Sequence, residues 1–112
     1  MIEVLLKTQD LSIVGFEVSG HAQYEDRGKD IVCAAVSVLT INSINTLEEV
    51  LKLKKEINYS QEDNLITLDI NTKSLDENRL HDTQVVLRSF ELGITSILRE
   101  YQDYVELYYK EV

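Results

Sequence analysis

Proline and tryptophan are absent from the 112 residues, cysteine occurs once and glycine four times. Without proline no helix carries a built-in breaker, so long uninterrupted helices are allowed. The single cysteine, Cys33, excludes an internal disulfide, suits a reducing compartment and leaves one thiol whose role needs explaining. It also excludes the multi-cysteine ligand sets of structural zinc, so no metal is expected. Cations are the other shortage: 11 Lys and Arg stand against 20 Asp and Glu, a net charge of -9. The phosphate-neutralising footprint of a nucleic-acid binder is missing, and neither DNA nor RNA is expected as a partner. An acidic surface keeps a protein soluble and raises the local concentration of a basic ligand when salt is low. No run approaches eighteen consecutive apolar residues, and the opening MIEVLLKTQD shows neither a basic leader nor a small-residue cleavage site. A cytoplasmic protein without a membrane segment is expected. Neither common glycine-rich phosphate motif occurs.

Hydrophobic residues make up 44% of the chain, enough for one core, and residues 1–112 read as a single domain. Short apolar runs from Ile2 to Thr8 and from Ser12 to Ser19 flank Gln9 and Asp10, which predicts a hairpin. Alternation in SIVGFEVS places Val14, Phe16 and Val18 on one apolar face, to rest on a helix, with Ile13, Gly15, Glu17 and Ser19 on the other. Gly20 to Lys29 has loop composition. Helical spacing begins after Asp30 and runs through Ile31, Ala34, Ala35, Val38 and Leu39 on to Lys55, with Asp30 as a cap. Segment 31–47 is apolar on more than one side, which predicts deep burial, partly in a subunit interface. Glu56 to Tyr59 and Leu65 to Ile70 predict a second hairpin, Leu80 to Tyr101 a second amphipathic helix after a polar link at 74–78, and Tyr104 to Lys110 a closing strand. The order ββαββαβ predicts a two-layer α+β fold with both helices on one face of a mostly antiparallel sheet.

The informative stretch is SGHAQYEDRGKDIVCAAVSVL, residues 19–39. His21 leaves the end of a predicted strand, and Cys33 falls in the first turn of the predicted helix. Cysteine attacks as the thiolate, which a helix N-terminus or a neighbouring imidazolium favours. Backbone N–H groups of that turn, including that of Cys33, could receive an oxyanion, with Gly20 and Gly28 allowing close backbone approach. His21 could act as general base, or equally be a strand-end histidine bonded to solvent or a carbonyl. Asp30 could cap the helix or orient His21. Ser37, one turn after Cys33, could support the thiol region or bond back to the carbonyl of Cys33. Ala22, Tyr24, Arg27 and Gly28 belong to a loop that could touch substrate. His81 has no adjacent thiol and reads as an exposed helix residue.

Joined together, Gly20-His21-Ala22, Tyr24, Gly28 and Asp30-Ile31-Val32-Cys33-Ala34-Ala35-Val36-Ser37 resemble the signature of the ribosomal-processing cysteine protease family, Prp. The length and element order are similar too. The resemblance implies a cysteine endopeptidase with His21 and Cys33 at the catalytic positions, no cofactor, and a homodimer. It implies as substrate the N-terminal extension of a large-subunit ribosomal protein, the bacterial protein numbered twenty-seven, cleaved after an aromatic residue and followed by basic residues. The acidic net charge would favour encounter with such a substrate. The reading of a different class is a non-catalytic ribosome-associated assembly module in which Cys33 is a buried small hydrophobe. A thiol acyltransferase on the same dyad would share every feature but the substrate.

Overall fold

The computed structural model describes residues 1–20 and 27–112, the side chains of 27–30 excepted. Strands β1 (Ile2–Gln9), β2 (Ser12–Ser19), β3 (Ile57–Glu62), β4 (Leu65–Ile70) and β5 (Val105–Glu111) form one sheet in the order β3-β4-β2-β1-β5. Helices α1 (Arg27–Asn45) and α2 (Glu77–Glu100) complete the expected ββαββαβ order. Every neighbouring pair is antiparallel except β1 and β5, which run parallel. The first and last strands of the chain therefore lie side by side.

Alternation decides which face is covered. Val4 and Leu6 of β1 stand opposite Val18 and Phe16 of β2, which in turn stand opposite Ile66 and Leu68 of β4, and Ile2 stands opposite Val105 of β5; all are buried. Leu87, Phe90 and Ile94 of α2 close over this layer. Phe16 and Phe90 stack with ring centroids 4.6 Å apart. The face of Val14, Phe16 and Val18 thus rests on a helix as the pattern predicts. Ile13 departs from the prediction. The register moves between Lys7↔Gly15 and Thr8↔Ile13, leaving Val14 as an extra residue without a partner. Such a bulge reverses the side of every residue beyond it. Ile13 therefore turns to the helix side and is fully buried. Gln84 of α2 holds the bulge: its Oε1 accepts from the Ile13 N–H at 2.7 Å and its Nε2 donates to the Ile13 carbonyl at 2.8 Å.

The helix limits differ from their expected places. α1 begins at Arg27, three residues before Asp30, so Asp30 lies inside the helix and not at the N-cap position expected for it. At the other end α1 stops at Asn45, passes into a π-helical turn at Thr46–Val50 and breaks at Lys52, whose φ is +58°. No glycine or proline announces that stop. α2 begins at Glu77, inside the segment expected to be a link, because the Asp76 side chain caps it by accepting from the Arg79 N–H at 2.8 Å. By length and composition Ile31–Val50 could cross a bilayer, yet Val32, Val36, Ile44 and Leu47 are built into the core of the fold.

Candidate active site

The site begins at the end of β2. Gly20 has φ +82°, and a Cβ there would lie 2.2 Å from the Met1 carbonyl oxygen. Its N–H donates to the Asn64 carbonyl at 3.3 Å. Only glycine meets both demands, left-handed backbone and close approach. The chain therefore leaves the sheet for residue 21 from a fixed point, between the start of β1 and the β3–β4 turn. His21, Ala22 and Tyr24 lie outside the described residues, as do the side chains of Arg27, Gly28 and Asp30.

Cys33 is half-buried on α1 and packs against the rim of the hydrophobic core. With the helix starting at Arg27, Cys33 sits in the second turn and not the first. There a backbone N–H is engaged with the carbonyl four residues back. The N–H groups that a regular helix leaves without a helical partner belong to the turn before it. Asp30 and Cys33, three apart, share one side of the helix. Ser37 follows one turn after Cys33 and lines an open, mostly apolar groove with Val38, Ile41, Asn42 and Asn45. Reading 31–47 as buried on several sides missed this groove. The signal was present in the polar residues Ser37, Asn42 and Asn45, spaced to share a helix flank.

The marked titration effects lie on the sheet. Burial disfavours the charged form of Lys7, but hydrogen bonds and charge from Asp69 (2.8 Å) and Glu17 (3.3 Å) outweigh it and raise its pKa. A hydrogen bond to Glu48, then that carboxylate's charge, raises Tyr59. Burial and the Glu91 carboxylate push Tyr109 up to about 12. His81 is exposed on α2 beside Asp82, as expected. Among the described residues no group of three or more His, Cys, Asp or Glu could hold a metal ion.

The family model for cysteine protease Prp matches residues 1–106. The ribosomal processing cysteine protease Prp of Bacillus subtilis (strain 168) is 23% identical over 104 residues, 92% of each chain. That of Staphylococcus aureus (strain Mu50 / ATCC 700699) is 28% identical over 93 residues, 83% of each chain. A Streptococcus mutans crystal structure, 28% identical, superposes with a TM-score of 0.77 over 100% of this chain and 96% of its own. The S. aureus ribosomal processing protease Prp with a covalently linked product peptide is 27% identical, with a TM-score of 0.73 over 98% of this chain and 100% of its own.

Proposed function

The chain belongs to the Prp family of cysteine proteases, and from that premise we propose that it removes the N-terminal extension of a large-subunit ribosomal protein, the bacterial protein numbered twenty-seven, with Cys33 as nucleophile and His21 as general base. The observation that carries this reading is the family match over 1–106, which takes in the whole tract from Gly20 to Ser37.

In this mechanism His21 takes the proton from Cys33, and the thiolate sulfur attacks the scissile carbonyl carbon. A C–S bond forms. The C–N bond then breaks as the imidazolium returns its proton to the leaving amine. Water, deprotonated by His21, attacks the thioester, and the carboxylate product leaves with the thiol restored. The S. aureus relative carrying a covalently linked product peptide supports a route that passes through a covalent intermediate. Two turns of α1 hold Cys33 at the rim of a packed core, which limits the directions its thiol can take. In this reading Asp30, on the same side of α1 as Cys33, orients His21 and fixes its tautomer. Oxyanion donors are sought in the amides of the first turn of α1, which precede Cys33 and lack helical partners.

The test is mass spectrometry of the protein mixed with a peptide copying that extension. The wild type should cut once and Cys33→Ala not at all, with unchanged far-UV circular dichroism, since alanine suits a helix interior. Cleavage retained by a contaminant-free Cys33→Ala sample would remove the assignment of the nucleophile. An inert wild type would return weight to the non-catalytic assembly module.

A further inference from the structure

β3 is one edge of the sheet, and its hydrogen-bonding groups alternate in direction. The β3–β4 hairpin turns through two residues, Asp63 and Asn64, so its closing pair Glu62↔Leu65 exchanges hydrogen bonds, and at every second rung Ser60↔Thr67 and Asn58↔Asp69 do the same. The backbone groups of Ile57, Tyr59 and Gln61 therefore point away from β4. Ile57 fixes the phase, because its N–H donates outside the sheet to the Leu53 carbonyl at 3.1 Å. Tyr59 and Gln61 have no such backbone partner among the described residues, and both are exposed. β3 contains neither proline nor lysine, the residues that close many sheet edges to further pairing.

This open edge lies beside the thiol. β3 ends at Glu62, next to the turn whose Asn64 carbonyl receives the Gly20 N–H, where the chain leaves the sheet for residue 21. Cys33, Ser37 and Ile41 fall within about 80° of one another round α1. Theirs is the flank away from α2, which meets α1 at Leu39 and Ser43. In the π-helical turn that continues α1, Glu48 accepts a hydrogen bond from the Tyr59 hydroxyl, so this flank stands over β3.

We propose that the peptide substrate binds as an added strand on the free edge of β3, its backbone pairing with Tyr59 and Gln61 and alternate side chains entering the groove of Ser37, Val38 and Ile41. The inference rests on the proteolytic reading. Continuity with Cys33 selects the occupant, and an extended peptide is the ligand whose N–H and C=O groups repeat with the period of the open rungs. Main-chain pairing supplies affinity, and the groove supplies the choice of side chain.

Calorimetry on the Cys33→Ala protein, which should bind without cutting, tests this with a peptide copying the extension and with copies N-methylated at one residue at a time away from the scissile bond. Methylation at alternate residues should raise Kd about tenfold, as loss of a hydrogen bond does, and at the residues between by less than about twofold. Gln61→Pro in the same background should raise Kd for the unmodified peptide about tenfold with unchanged far-UV circular dichroism, since proline removes an N–H that faces away from the ladder. If that variant does not fold, the period of the methylation effect decides alone. A loss without a two-residue period, or a Kd that neither methylation nor Gln61→Pro alters, would overturn the added strand while cleavage by the wild type kept the proteolytic reading in place. A wild type that neither binds nor cuts the peptide would remove both.

Discussion

Several residues hold backbone conformations that their side chains do not favour. The β1–β2 connection places Asp10 at φ +49° and Leu11 at φ +70°, the two positive values of a type I′ turn. Asp suits the first position. Leucine does not suit the second, where glycine is preferred, and Leu11 is 90% exposed, so no burial compensates. Leu11→Gly should stabilise the protein by about 0.5 to 1 kcal/mol, relief of the left-handed strain exceeding the added entropy of the unfolded chain. Urea unfolding would measure it, and a midpoint that falls would show that the leucine contributes something its exposure hides. The one contact made by this residue that anchors α2, the Arg88 Nη2 donation to the Leu11 carbonyl at 2.7 Å, is a backbone contact and survives the change.

At the scale of the elements, the join between sheet and helix layer depends on a side chain acting as a strand. Gln84 supplies Ile13 with hydrogen bonds that β4 does not, since the β2–β4 pairing goes no further than Gly15, and it donates and accepts in one amide. Gln84→Ala should lower stability by about 1 to 3 kcal/mol, leaving both groups of Ile13 unpaired. Gln84→Glu should recover little, because a carboxylate can accept from the Ile13 N–H but cannot donate to the Ile13 carbonyl, whose oxygen it repels. Equal stability of Gln84→Ala and wild type in denaturant would show that water replaces the amide. Strand β4 was legible to the residue in Leu65–Ile70, whose alternation is uninterrupted. β3 runs on to Glu62, beyond its expected end at Tyr59, because Gln61 and Glu62 read as turn residues while the turn is made by Asp63, at φ +43°, and Asn64.

Across the whole molecule, α2 is tied to the edge strand β5 through a titratable contact. The Tyr109 hydroxyl donates to Glu91, whose other oxygen receives Arg88. Tyr109 has its pKa raised to about 12, against about 10 for an unfolded tyrosine. The unfolded chain therefore loses this proton first, and the contribution of Tyr109 is complete below pH of about 10 and lost as pH rises towards 12. Solvent screening at this exposed edge keeps the effect small. Tyr109→Phe should unfold at a lower temperature than wild type at pH 8 and show a shallower decline between pH 9 and 12. Parallel declines would mean that the contact does not persist in solution.

The linear order of residues determined the ββαββαβ plan, the helix-facing apolar sides of most strands, and the tract from Gly20 to Ser37 that marks the protease family, because each is a matter of local spacing and residue type. The tertiary structure alone decided the bulge at Val14, the parallel pairing of β1 with β5 and the early start of α1 that places Cys33 in its second turn. It also decided which side of the uncharged helix lies in the core and which stands exposed. Those outcomes depend on contacts between residues far apart in the chain, such as Gln84 with Ile13, and periodicity along one segment carries no record of its distant partner.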